Sequence, residues 1–162
     1  MISLKVITAT TLPATPGDVW PLLVDSRMDR RPRSPVFYLG VPRPVECALP
    51  SGVGGVGAAR ECRAAEGVIR QRITRWQPAS VLEFRMQETD LPFRRFVAGI
   101  AERFELMELA YGRTARTRTT TVTISGPFPA LKAIALGVGL KSVHRFVFSC
   151  WRRQSGRQPA SC

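Results

Sequence analysis

The chain has 162 residues, 44% of them apolar, which suits one compact core and leaves little room for a second. Cys47, Cys62, Cys150 and Cys162 form no C-x-x-C pair and His144 is the only histidine, which argues against a structural zinc site and predicts free thiols. The formal charge is +12 and uneven, since no Asp or Glu follows Glu108 whereas nine Lys or Arg do. Such a field draws phosphates, nucleic acid or anionic lipid by Coulomb steering. The basic residues are not interleaved with aromatics in an RNP-like pattern or set on a helix-turn-helix, so no specific nucleic-acid site is expected.

In chain order, residues 4–11 alternate and are rich in β-branched side chains, predicting a first strand that Pro13 ends. Thr15-Pro16-Gly17-Asp18 is a helix start, with an N-cap and then proline at the first helical position, and a short helix to about Asp25 follows. The first residues lack the uninterrupted apolar core of a signal peptide, so a cytoplasmic address is expected. The segment 27–44, with four prolines and the apolar group Val36 to Leu39, reads as loop with at most a turn of helix. Strands are then predicted at 45–49, 57–64, 68–76, 81–89, 103–110 and 114–125, separated by Gly- and Pro-rich turns, which makes an antiparallel meander. On these strands Ile69, Gln71 and Ile73 share one face, Leu82, Phe84 and Met86 another, and Phe104 and Leu106 a third, together predicting the concave side.

Gly126-Pro127-Phe128-Pro129 breaks the sheet, and 130–153 predicts the longest helix, closed by Ser155-Gly156. Its second half is amphipathic, with Lys141, Arg145 and Arg152 opposite Val143, Phe146, Val147 and Cys150. Its first half is apolar nearly all round, and Gly137 and Gly139 cost helix stability unless something packs closely on them. The apolar run 133–140 is too short to span a bilayer but long enough to lie against one.

Strand, short helix, a run of strands, long amphipathic helix is the helix-grip order. The residues 12–20, Leu-Pro-Ala-Thr-Pro-Gly-Asp-Val-Trp, resemble the opening of the polyketide cyclase/dehydrase and lipid-transport superfamily, also called SRPBCC or START-like. Gly40-Val41-Pro42-Arg43-Pro44, then 57–62, then Gly67 with 73–78, and finally Phe104-Glu105-Leu106, Gly112-Arg113-Thr114 and Val143-His144-Arg145 follow the order of later landmarks in a bacterial branch. The resemblance implies an α+β fold in which a curved antiparallel sheet of about seven strands wraps a long C-terminal helix, with short helices after the first strand. It also implies one ligand-binding domain over 1–155, followed by a basic, disordered tail at 156–162, and a cavity for small apolar or amphipathic molecules. Gln71 stands where relatives look to have glutamate, which removes a cavity carboxylate.

Gly52-Val53-Gly54-Gly55-Val56-Gly57 matches G-x-G-x-x-G, but the next segment alternates as a strand and no acid lies between Glu66 and Glu83, so a turn is expected rather than a dinucleotide site. Of Arg60 and Glu61, on opposite faces of one strand, the resemblance favours Arg60 as the inward residue, an anchor for a carboxylate or phosphate; the alternative is a solvated arginine or an ion pair with Glu83 or Glu102. His144 falls at the border of the apolar arc, which places it at the cavity rim, or else packed against a backbone carbonyl. Ile69, Ile73, Trp76, Phe84, Met86, Phe104 and Leu106 are expected to line the cavity, or to be ordinary core, and Tyr38 with Phe37 to cap its entrance.

The functional expectation is a carrier or sensor for a small hydrophobic or amphipathic ligand, with no metal and no cofactor, as a monomer or homodimer. One alternative is a cyclase- or dehydratase-like enzyme in which His144 shuttles a proton while Arg60 or Gln71 polarises a carbonyl. The other is a basic module contacting an anionic membrane or an acidic protein through Lys141, Arg145, Arg152, Arg153 and Arg157.

Overall fold

The computed structural model describes residues 1–38 and 41–157. Eight antiparallel strands form one sheet: β1 (Ile2–Leu12), β2 (Ser26–Arg27), β3 (Pro44–Ala48), β4 (Ala59–Ala64), β5 (Gly67–Gln77), β6 (Val81–Thr89), β7 (Val97–Leu109) and β8 (Arg113–Ile124). The helices are α1 (Pro16–Val24) and α2 (Pro129–Arg157). Spatial order is β1-β8-β7-β6-β5-β4-β3-β2, so the chain runs from one edge to the other and returns to pair β1 with β8. Register shifts between β3 and β4, at two points between β5 and β6, and at the start of β7 give the bends that curl the sheet.

The local signals act as their chemistry requires. The Thr15 side chain accepts a hydrogen bond from the Asp18 amide at 3.3 Å, and Pro16 opens α1. In the glycine-rich loop Gly52, Gly55 and Gly57 have φ of 72°, 155° and 85°, which side-chain-bearing residues avoid. A Cβ on Gly54 would sit 2.1 Å from the Trp76 ring, so this loop is a turn folded over an indole.

Three boundaries differ from expectation. The two-residue β2 pairs Ser26 and Arg27 with Cys47 and Glu46, making eight strands rather than seven, and is too short for any periodicity to reveal. β7 begins at Val97, six residues before the predicted start at 103, because the 3-10 turn Pro92–Arg95 occupies only the first part of the expected link. α2 runs past Ser155-Gly156 to Arg157, so the proposed tail begins inside the helix; 158–162 lie outside the described residues.

The sheet grips α2 through its inner face, where Leu136, Leu140, Val143, Val147 and Trp151 are buried. Residues Pro129–Gly156 are long and apolar enough to cross a bilayer by length and composition, but this is the helix on which the core is built. Gly139 answers one question raised by the sequence: a Cβ there would lie 2.5 Å from Val41, so Val41 rests on the helix backbone. Phe37 is buried in the 3-10 turn Pro35–Tyr38, its ring edge-on to Phe146 at 5.9 Å.

Candidate functional site

Between sheet and helix lies a hollow of about 100 Å³. Its walls are mostly apolar: Phe84, Phe93, Phe104 and Ile69 from the sheet side, and Leu136, Leu140, Val143, Val147 and Trp151 from α2. Alternation explains this, because β5, β6 and β7 each send every second side chain inward. Of the residues anticipated from sequence, Arg60, Ile69, Gln71, Phe84 and Phe104 line the hollow. Ile73 and Leu106 are buried in the core, and Met86 packs half-buried against it, but none of the three reaches the space. The side chain of Tyr38 lies outside the described residues.

Arg60 is the polar feature of this wall. It is buried at 3% exposure, with Nη1 donating to Gln71 Oε1 at 2.7 Å and Nη2 to the Leu23 carbonyl at 3.2 Å. Its guanidinium stacks over Phe84, 4.3 Å from the ring centroid, a contact worth about 2 kcal/mol when desolvated. The Nε–H finds no partner among the described residues. Burial pulls its pKa down from 12.5 to about 10, opposed by the Glu102 charge, so it stays cationic at neutral pH. Neither an ion pair with Glu83 nor a solvated side chain describes it: Glu83 pairs instead with Arg103.

Arg118, which sequence reasoning missed, and Glu102, which it named only as an ion-pair partner for Arg60, complete the polar end. Arg118 and Glu102 form a bidentate pair, both bonds 2.7 Å, and both line the hollow. Their parity was readable, since Glu102 alternates with Phe104 and Leu106, and Arg118 with Thr114 and Val122; starting the strand at 103 hid the first. A third inward arginine, Arg116, is fully buried with no hydrogen-bond partner among the described residues. It lies 3.6 Å from the Phe148 centroid and 4.4 Å from that of Trp151. Burial pushes its pKa down, reinforced by the charges of Arg118 and Arg152, and it does not line the hollow.

His144 is not at a rim. It is wholly buried on α2, with Nδ1 2.9 Å from Thr8 Oγ1 on β1 and Nε2 2.7 Å from Thr120 Oγ1 on β8. Burial drives its pKa to about 2, with Arg118 and Lys141 pushing the same way, so the ring is neutral. Thr120 borders the hollow while the imidazole does not. The histidine ties the helix to two strands.

The free-thiol expectation fails for two cysteines. Cys47 and Cys62 are direct cross-strand partners on β3 and β4 and are joined in a disulfide, with both residues on the wall of the hollow. Cys150 is a buried free thiol, and Cys162 lies outside the described residues.

No family model matches the sequence, and no curated relative does. Solved structures do. The Zhui aromatase/cyclase from Streptomyces sp. R1128 superposes with a TM-score of 0.69 over 97% of this chain and 96% of its own, at 14% identity. The fold is START-like. A START superfamily protein from Mycobacterium smegmatis gives 0.62 over 96% of this chain and 99% of its own, at 11% identity. Protein MLL2253 from Mesorhizobium loti gives 0.62 over 96% and 98%, at 13% identity. At such identities the START-like architecture is what is shared, and activity is not carried over.

Proposed function

We propose that the chain is a single ligand-binding domain that takes up a small amphipathic molecule, as a carrier or sensor, with the guest's apolar body in the hollow and its polar or anionic end at Arg60. The observation that carries this reading is the Arg60 Nε–H, buried without a partner in a wall that is otherwise mostly greasy. Such a donor costs roughly 1–3 kcal/mol while unpaired, and a carboxylate or phosphate oxygen would relieve it. Apolar burial adds about 25 cal/mol per Å² removed from water. Size limits the guest, since an apolar cavity of roughly 150 Å³ is known to suit benzene. A compact molecule therefore fits as the hollow stands, and a longer one requires the Val41 segment to move.

The test is native mass spectrometry and solvent extraction of freshly purified protein. A recurrent small acid or phosphate ester that is lost from an Arg60→Met variant supports the reading; an interior empty in every preparation, with no small acid taken up on addition, contradicts it. The cyclase-like alternative loses its stated proton shuttle, because both His144 nitrogens are engaged and the ring is outside the hollow.

A further inference from the structure

The outer face of α2 carries a stripe that neither the core nor the hollow uses. Leu131, Ile134 and Val138 are 68%, 67% and 50% exposed. At helical spacing they continue into Lys141, Arg145 and Arg152, so one solvent-facing line passes from apolar to basic. Phe128, just before the helix and 77% exposed, extends the apolar end; Pro127 and Pro129 flank it, and its backbone is left-handed at φ 53°.

Cations border this apolar end. Lys132 lies over the Phe96 ring at 5.2 Å, and the Ser125 amide donates to the Phe96 carbonyl at 2.8 Å, which brings the 3-10 turn Pro92–Arg95 alongside the start of α2. Arg94 and Arg95 in that turn are exposed. No Asp or Glu occurs on α2 or anywhere beyond Glu108. An exposed apolar stripe bordered by Lys and Arg, on an element without a single acid, complements a surface that is negative outside and hydrocarbon beneath. A folded protein partner would need its own apolar groove ringed by acids, whereas an anionic bilayer offers both layers at once.

We propose that this face docks on anionic phospholipid membranes, with Phe128, Leu131, Ile134 and Val138 entering the interface and Arg94, Arg95, Lys132 and Arg145 meeting lipid phosphates. The opposite side of the same helix, through Leu136 and Leu140, walls the hollow. Docking therefore sets the roof of the candidate ligand site against the lipid phase.

The experiment is vesicle co-sedimentation of the full chain, with phosphatidylcholine vesicles compared with mixtures containing phosphatidylglycerol. The proposal expects binding to the anionic vesicles that weakens steeply with salt, and loss of at least about tenfold in the combined Leu131→Ser, Ile134→Ser, Val138→Ser variant. Thermal melts check that this variant is folded, and Arg145→Gln with Lys132→Gln gives a second variant with weaker binding and a shallower salt dependence. Arg60→Met binds vesicles like the native chain, which separates this proposal from the ligand reading. Equal binding to neutral and anionic vesicles, or full binding by both variants, overturns it. So does a concentration-dependent dimer abolished by Ile134→Asp in a protein that ignores vesicles, which would assign the face to a second copy.

Discussion

The two halves of α2 face the same sheet and do different work. Residues 141–157 are fastened to it: His144 bridges Thr8 and Thr120, the Trp151 indole donates to Ser26 Oγ at 2.8 Å, and Arg116 is sandwiched against Phe148 and Trp151. Among the described residues, 129–140 make no such bonds with side chains of the sheet. They wall the hollow with Leu136 and Leu140, receive Val41 on Gly139, and leave Leu131, Ile134 and Val138 outside. The bonds to side chains of the sheet are thus concentrated in the second half of the helix, while the hollow is walled by both halves, through Leu136 and Leu140 from the first and Val143, Val147 and Trp151 from the second.

The largest test of this contrast is to cut one large side chain from each half. Trp151→Ala removes a fully buried indole, orphans Ser26 and uncovers Arg116, so a loss of about 3–5 kcal/mol in urea denaturation is expected. Leu136→Ala removes a smaller side chain that holds no hydrogen bond to the sheet and should cost less than half as much, while enlarging the hollow. Equal losses would mean that both halves are packed alike.

Next in size is the Cys47–Cys62 bridge, which spans 15 residues and ties β3 to β4, two strands that border the hollow. Reduction, or Cys62→Ala, is expected to lower stability by about 3 kcal/mol. Denaturation with and without a dithiol reductant measures it, and an unchanged midpoint contradicts a bridged native state.

A smaller effect tests the fastened half through pH. Because burial holds the folded His144 pKa near 2 and the unfolded value lies near 6.5, the unfolded chain takes up the proton first as pH falls. This contribution is complete above about pH 6.5 and declines below it, by up to about 1.4 kcal/mol per pH unit. Denaturation at pH 7.5 and 5 reads the slope, and His144→Asn should flatten it. The smallest effect is Gly139→Ala: better helix propensity, about 1 kcal/mol, opposes a Cβ only 2.5 Å from Val41, and the net cost should vanish in combination with Val41→Ala.

What could be read from the sequence follows from periodicity. Every strand but the two-residue β2 and both helices were legible because alternation and the Thr15-Pro16 and Gly126-Pro127 punctuation are local signals, and the inward sets of β5 to β7 followed from parity. Register was not legible: Cys47 opposite Cys62, and Arg60 near enough to Gln71 to bond it, depend on how strands slide past each other. The rim placement of His144, one of the two the sequence allowed, failed for a related reason. A helical wheel gives an angle but not the depth to which β1 and β8 enclose it. Arg118 was overlooked, and Glu102 was named only as a partner for Arg60, because charged side chains are expected outside, whereas here each neutralises the other across adjacent strands.

The central claim is that Arg60 waits for an anionic end in a mostly apolar hollow, and calorimetric titration with hexanoate and with hexanol tests it most directly. The account predicts that the native chain binds hexanoate at least about tenfold more tightly than hexanol, and that Arg60→Met binds the two alike. Equal affinities in the native chain, or no binding of either, would contradict it.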